Sequence, residues 1–232
     1  NFIEEFYKII DRLKEKQGGF FTLADTLKNK CLPPRGVYYF FDETEPRTHS
    51  GYGPRVVRVG THGLTVGSKS SLRSRLAQHR GTISTKSGNH RGSIFRLLVG
   101  QSLISAEKLY VPTWGLKGDI KRASQATGVP SDALRAMESP IEIRVSSYIS
   151  QLPLVVVDVS DEPSPNSLRS YIENNSIALL SNYNKQPLDN PSPHWLGNFS
   201  NREKVRRSGL WNSEKVDGTV DLNLLTAMNN LL

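Results

Sequence analysis

The 232-residue sequence has a single cysteine, Cys31, and only two methionines. A lone thiol excludes an internal disulfide framework and a cysteine-rich zinc site, and it fits a reducing, cytoplasmic compartment. Long apolar runs are missing too. Val37 to Phe41 is the longest, and Leu154 to Val159 is broken by Asp158, far short of the roughly 20 residues of a membrane-spanning helix. The opening N-F-I-E-E-F-Y-K mixes acids with apolar residues, unlike a secretory leader. Its lack of an initiator Met leads us to expect a few native residues upstream. The most informative absence is of acids: there is no Asp or Glu between Glu45 and Glu107, whereas ten Lys/Arg and four of the five histidines fall between Arg47 and Arg96. Net charge is +8, and a second basic cluster spans Arg202 to Arg207. A long stretch of one sign favours a polyanionic partner, nucleic acid, over a basic surface kept only for solubility.

A hydrophobic content of 37% and a charged content of 22% describe a soluble globular chain. Phe2, Phe6, Ile9, Ile10 and Leu13 recur at helical spacing up to Gly18-Gly19, giving an amphipathic first helix. Strands are expected at Val37–Phe41 and Arg55–Val59, an antiparallel pair. Helices follow from Ser70-Ser71 and, with Ser93 as cap, over Ile94 to about Ile104. Tyr110 to Pro140 reads as an insertion of two short helical pieces. I-E-I-R-V, Ile141 to Val145, alternates like a half-buried strand, and L-P-L-V-V-V-D-V reads as a more buried one. A helix over Leu168–Tyr183 precedes a Pro-rich tail with a basic helix and L-N-L-L-T-A-M. The fold class is α+β, a small mixed β-sheet flanked by helices. We expect residues 1–30 as an N-terminal helical extension, 31–190 as the core with its insertion at about 110–140, and 191–232 as a basic C-terminal extension.

In S-S-L-R-S-R-L-A-Q-H-R, Leu72, Leu76 and His79 share one helix face, and Arg75 lies on its edge, one turn before His79. An inward guanidinium needs an anionic partner, either a structural carboxylate or a phosphate. Glu173 borders the apolar stripe of its helix. One carboxylate there suits a hard cation, and the competing reading is a capping box with Ser170. Tyr38 and Tyr39 face opposite sides of their strand, so at most one of them looks into a given cleft.

Together G-V-Y at Gly36–Tyr38, V-R-V-G at Val57–Gly60, S-L-R-S-R-L-A-Q-H and a late helix with a lone Glu resemble the GIY-YIG nuclease family over roughly Arg35 to Asn184. The resemblance implies a small mixed sheet carrying both signatures and hydrolysis of DNA phosphodiesters with one divalent metal, Mg²⁺ or Mn²⁺. By position, Tyr38 matches the first signature tyrosine, Arg75 the helix arginine and Glu173 the metal ligand. Asn182 or Asn184 matches the polar residue beyond it, and His79 completes an R-x-x-x-H arrangement similar to that of restriction enzymes in the family. Arg58 occupies the second signature's tyrosine position; a guanidinium cannot be a general base but can bind phosphate. Tyr38 and His79 both stand as candidates to orient or deprotonate the attacking water. Lys69, Arg73, Arg80, Arg91 and Asn184 are expected on the nucleic acid, Trp195 and Trp211 in packing. The expected activity is that of a metal-dependent endonuclease of restriction or phage-defence type. The alternatives are a catalytically inactive nucleic-acid-binding module and a subunit of a DNA-processing complex. Whether two copies form a homodimer to cut both strands is left open.

Overall fold

Alternation along one strand sets the architecture. In the computed structural model, which describes residues 1–24 and 32–232, β1 (Gly36–Pro46) is the middle of a three-stranded sheet. It lies between β2 (Pro54–Gly60) and β3 (Leu154–Asp158) in the order β2-β1-β3. Val37, Tyr39 and Phe41 enter one core, and Tyr38 and Phe40 enter another on the opposite face. Both sets are buried, so helices must cover both sides. The pairing is antiparallel throughout rather than mixed. Cys31 and the expected boundary beside it lie outside the described residues.

The Tyr39 face is covered by α1 (Phe2–Lys16), α6 (Leu168–Leu180) and α8 (Leu224–Asn229). Asn1 caps α1, whose Phe6, Ile9, Ile10 and Leu13 are all buried. Each such side chain contributes about 1.5–3 kcal/mol of hydrophobic free energy. The Tyr38 face is covered by α2 (Leu72–Arg80), α3 (Ile94–Ala106) and α5 (Ser131–Gln151). The short α4 (Ile120–Thr127) and α7 (Glu203–Ser208) complete the helices among the described residues.

The expected strand at Ile141–Val145 is instead the middle of α5. Five residues of I-E-I-R-V satisfy a two-residue period, but Leu134, Glu138, Ile141, Val145 and Ile149 are buried at helical intervals over a much longer window. Packing of that stripe holds the helix despite the internal Pro140, which costs it a hydrogen bond.

The terminal stretches expected as extensions supply core residues. Trp195 and Trp211 pack with ring centroids 5.1 Å apart and are buried, in line with their expected packing role. Leu210, Val216, Leu224 and Met228 join the core built by α1.

Candidate active site

The site begins where β2 ends. Gly60 stands opposite Tyr38 in the ladder, and a Cβ there would collide with the phenolic oxygen, so only glycine leaves room for the ring. Tyr38 is fully buried, and its hydroxyl lies 2.8 Å from His79 Nε2. His79 reaches it from the inward face of α2, beside Leu72 and Leu76, as the periodicity predicts. Its Nδ1 lies 2.8 Å from Ser93 Oγ, and Ser93 also caps α3 by accepting the Arg96 N–H. Burial, with the charges of Arg75, Arg58 and Arg96, pushes the His79 pKa well below its ordinary value. The imidazole is therefore neutral, with one nitrogen to donate and one to accept.

The regular ladder puts Arg58 on the same face, opposite Phe40, and a bulge follows it. Phe40 pairs with Arg58 and Phe41 with Val56, leaving Val57 as the extra residue. Arg58 is nearly buried; its Nη1 donates to the Trp211 carbonyl at 2.5 Å, and its Nε has no partner among the described residues. Burial lowers its pKa, while Tyr38, within hydrogen-bonding reach, and Glu173 favour the charged form.

Glu173 arrives from α6 on the other side of the sheet. Ser167 caps that helix, so the capping box of Ser170 with Glu173 does not form. Glu173 Oε1 instead accepts the Thr61 N–H at 3.1 Å, and Thr61 Oγ1 donates to the Gly36 carbonyl at 2.8 Å. Thr61 thus links the start of β1 and the end of β2 to the carboxylate. Burial raises the Glu173 pKa against the pull of Arg58, the Thr61 N–H, Arg75 and Lys215. Arg58 and Glu173 line an open cavity of 400 Å³ with Asn174, Asn212, Glu214 and Lys215.

Arg75 is half-buried and donates to Gln78 Oε1 at 3.0 Å and the Gly92 carbonyl at 3.1 Å, rather than to a carboxylate among the described residues. Lys69 and Arg73 are exposed, and Arg80 lines a separate groove beside Ile143. Arg91 does not join the expected nucleic-acid surface: its side chain grips Glu138 through two bonds of 2.6 and 2.7 Å, nearly out of solvent. Asn184 accepts from Arg207, and Asn182 holds the turn at Leu188 and Asp189; neither lines the cavity. Part of the one-signed run is therefore internal, because Arg55, Arg91 and Arg96 pair with Glu45, Glu138 and Glu142, all from outside it.

The residues missed in sequence are Thr61, Ser93 and the segment Asn212–Lys215. Trp211 N–H donates to the Val57 carbonyl at 2.7 Å, and the Asn212 carboxamide bonds both the N–H and the carbonyl of Val59, at 3.1 and 2.9 Å. This segment closes the free edge of β2. Its only sequence signal is N-S-E-K held between apolar Trp211 and Val216.

No three His, Cys, Asp or Glu side chains converge among the described residues, so an all-protein metal cage has no donor set here. The cavity donors are oxygens, with the second oxygen of Glu173 left without a hydrogen bond among the described residues. That arrangement fits a hard divalent cation, which takes one or two carboxylates and completes its shell with water and substrate oxygens.

A family model described as a GIY-YIG domain matches residues 1–232. No curated protein and no solved structure matches the chain.

Proposed function

The chain belongs to the GIY-YIG nuclease family, and from that premise we propose that it is a divalent-metal-dependent DNA endonuclease. The observation that carries the reading is the meeting of Arg58 and Glu173 in one open cavity, with the Tyr38–His79 pair behind Arg58. Glu173 is the protein ligand of a Mg²⁺ or Mn²⁺ ion, which when bound supplies charge neutralisation at the scissile phosphate. Arg58, with its unpartnered Nε, and Arg75 stabilise the charge that builds on the phosphoryl oxygens.

Tyr38 is the residue that receives the proton of the attacking water once Arg58, which stands between it and the cavity, turns toward the phosphate. Its own hydroxyl proton passes to His79 Nε2, while His79 Nδ1–H donates to Ser93 Oγ and fixes the tautomer. Burial and the arginine charges together keep His79 neutral in the free protein, and the negative charge of the arriving phosphodiester offsets the arginine part. DNA lies against the exposed part of the basic run, Lys69 and Arg73 included. A restriction or phage-defence role fits a nuclease centre of this kind.

Cleavage of supercoiled plasmid with Mg²⁺ or Mn²⁺, run beside Glu173→Ala, tests the reading. Metal-dependent cutting lost in the variant is the expected result. Salt-sensitive DNA binding by both proteins without any cutting would instead favour the inactive binding module.

A further inference from the structure

The site contains a cation that the family signatures do not account for. Lys215 lines the same cavity as Arg58 and Glu173, yet it comes from the far end of the chain. Its position is built. Trp211 and Asn212 pin the preceding residues to the edge of β2, and the Arg58 guanidinium donates to the Trp211 carbonyl. On the other side Val216 is buried, Asp217 pairs with Lys204 at 2.8 Å, and the Gly218 N–H donates to the Lys215 carbonyl at 3.1 Å.

The φ of Lys215 is +64°, in the left-handed region that Lys86 and Lys108 also adopt, so glycine can take its place without strain. The side chain is exposed and makes no hydrogen bond or ion pair among the described residues, whereas Lys8, Lys14 and Lys204 each hold a carboxylate. Glu173 and Glu214 both line the cavity; a divalent cation held at Glu173 would offset the first, which leaves the Glu214 carboxylate to repel a phosphodiester, and Lys215 is the cation next to it in the chain.

Resting on the nuclease reading above, we propose that Lys215 is a substrate-positioning residue that binds a DNA backbone phosphate at the mouth of the site, so that the C-terminal segment completes the active centre. The ammonium is a point charge on a flexible stem, suited to a phosphate whose position shifts with DNA sequence. It therefore adds affinity without reading bases.

The test uses the full chain with Lys215→Gly and Lys215→Arg. Glycine suits the left-handed turn, so the first variant removes the ammonium without the risk of unfolding. Binding of a labelled duplex is followed by fluorescence anisotropy in EDTA from 50 to 200 mM salt, and kcat and KM are measured separately with Mg²⁺. Loss of one phosphate contact lowers the salt slope by about 0.9, so between those salt concentrations Lys215→Gly loses about 3.5-fold less affinity than the wild type. KM rises by about tenfold, more than kcat falls, equally on unrelated sequences. Lys215→Arg restores the slope. Wild-type slope and KM in Lys215→Gly would overturn the assignment and leave the nuclease reading standing. A wild-type protein that neither binds nor cuts DNA would overturn both.

Discussion

Two adjacent tyrosines divide this molecule. Tyr39 faces a core built mainly of apolar side chains: its ring meets Phe6 edge-on at 5.8 Å, and its hydroxyl is paired 2.9 Å from Ser176 Oγ. Tyr38, one residue earlier, faces a core threaded with charge. There His79 bonds Tyr38 and Ser93, Arg96 bonds Glu142 and the His79 carbonyl, and Glu142 also receives His90. Burying charge and polar atoms is costly even when they are paired, and an apolar core of equal volume is often as stable or more so. The Tyr39 side therefore holds the fold, and the Tyr38 side spends stability on fixing groups in place.

The sharpest way to break that contrast is to remove one hydroxyl from each face. Tyr38→Phe deletes the group placed between His79 and Arg58, and cleavage is expected to slow by about 10²–10⁴-fold. Tyr39→Phe leaves Ser176 without its partner and costs about 1 kcal/mol of stability, with cleavage unchanged. Initial rates on plasmid and urea denaturation of both variants check this. Equal losses of rate would mean that the two faces are not functionally distinct.

A smaller effect separates the faces by stability. Arg96→Met leaves the buried Glu142 carboxylate without its guanidinium and is expected to cost about 3–5 kcal/mol. At roughly 2–4 °C per kcal/mol that lowers Tm by about 10 °C. The comparable trim on the other face, Ile9→Val, costs about 0.5–1.5 kcal/mol. Adding Glu142→Leu to Arg96→Met removes the stranded charge and recovers much of the loss. If it does not, Arg96 matters through its bond to the His79 carbonyl instead.

How much of this was legible in the sequence follows the range of each interaction. The two-sidedness of Tyr38 and Tyr39, the inward turn of His79 and the Ser71 and Ser93 caps depend on neighbours within a few residues, and the sequence carries them openly. I-E-I-R-V was misread because five residues cannot distinguish a two-residue period from one stripe of a long helix. Arg91 looked like part of a nucleic-acid surface because its partner, Glu138, lies beyond the acid-free run. Lys215 could not be found at all. Nothing local marks it, and its place depends on Trp211 and Asn212 meeting a strand edge more than 150 residues earlier in the chain.

Two buried histidines predict how the protein responds to acid. Burial, with the nearby Arg75, Arg58 and Arg96, holds His79 neutral, and burial with Arg169 lowers His62 to about 4. In the unfolded chain both titrate near 6.5. Below about pH 6.5 the unfolded state therefore binds protons that the folded state refuses, and stability falls as pH falls. Each of the two contributes a loss of about 1.4 kcal/mol per pH unit, continuing until His62 takes its proton near pH 4. Above about pH 7 neither contributes any slope. Urea denaturation between pH 7.5 and 5.5, above the ordinary carboxylate range, measures this, and His79→Gln or His62→Gln should each make the slope shallower. Ser176→Ala, on the Tyr39 face, should displace the whole curve without tilting it. A tilt there would show that a group other than the two histidines sets the acid response.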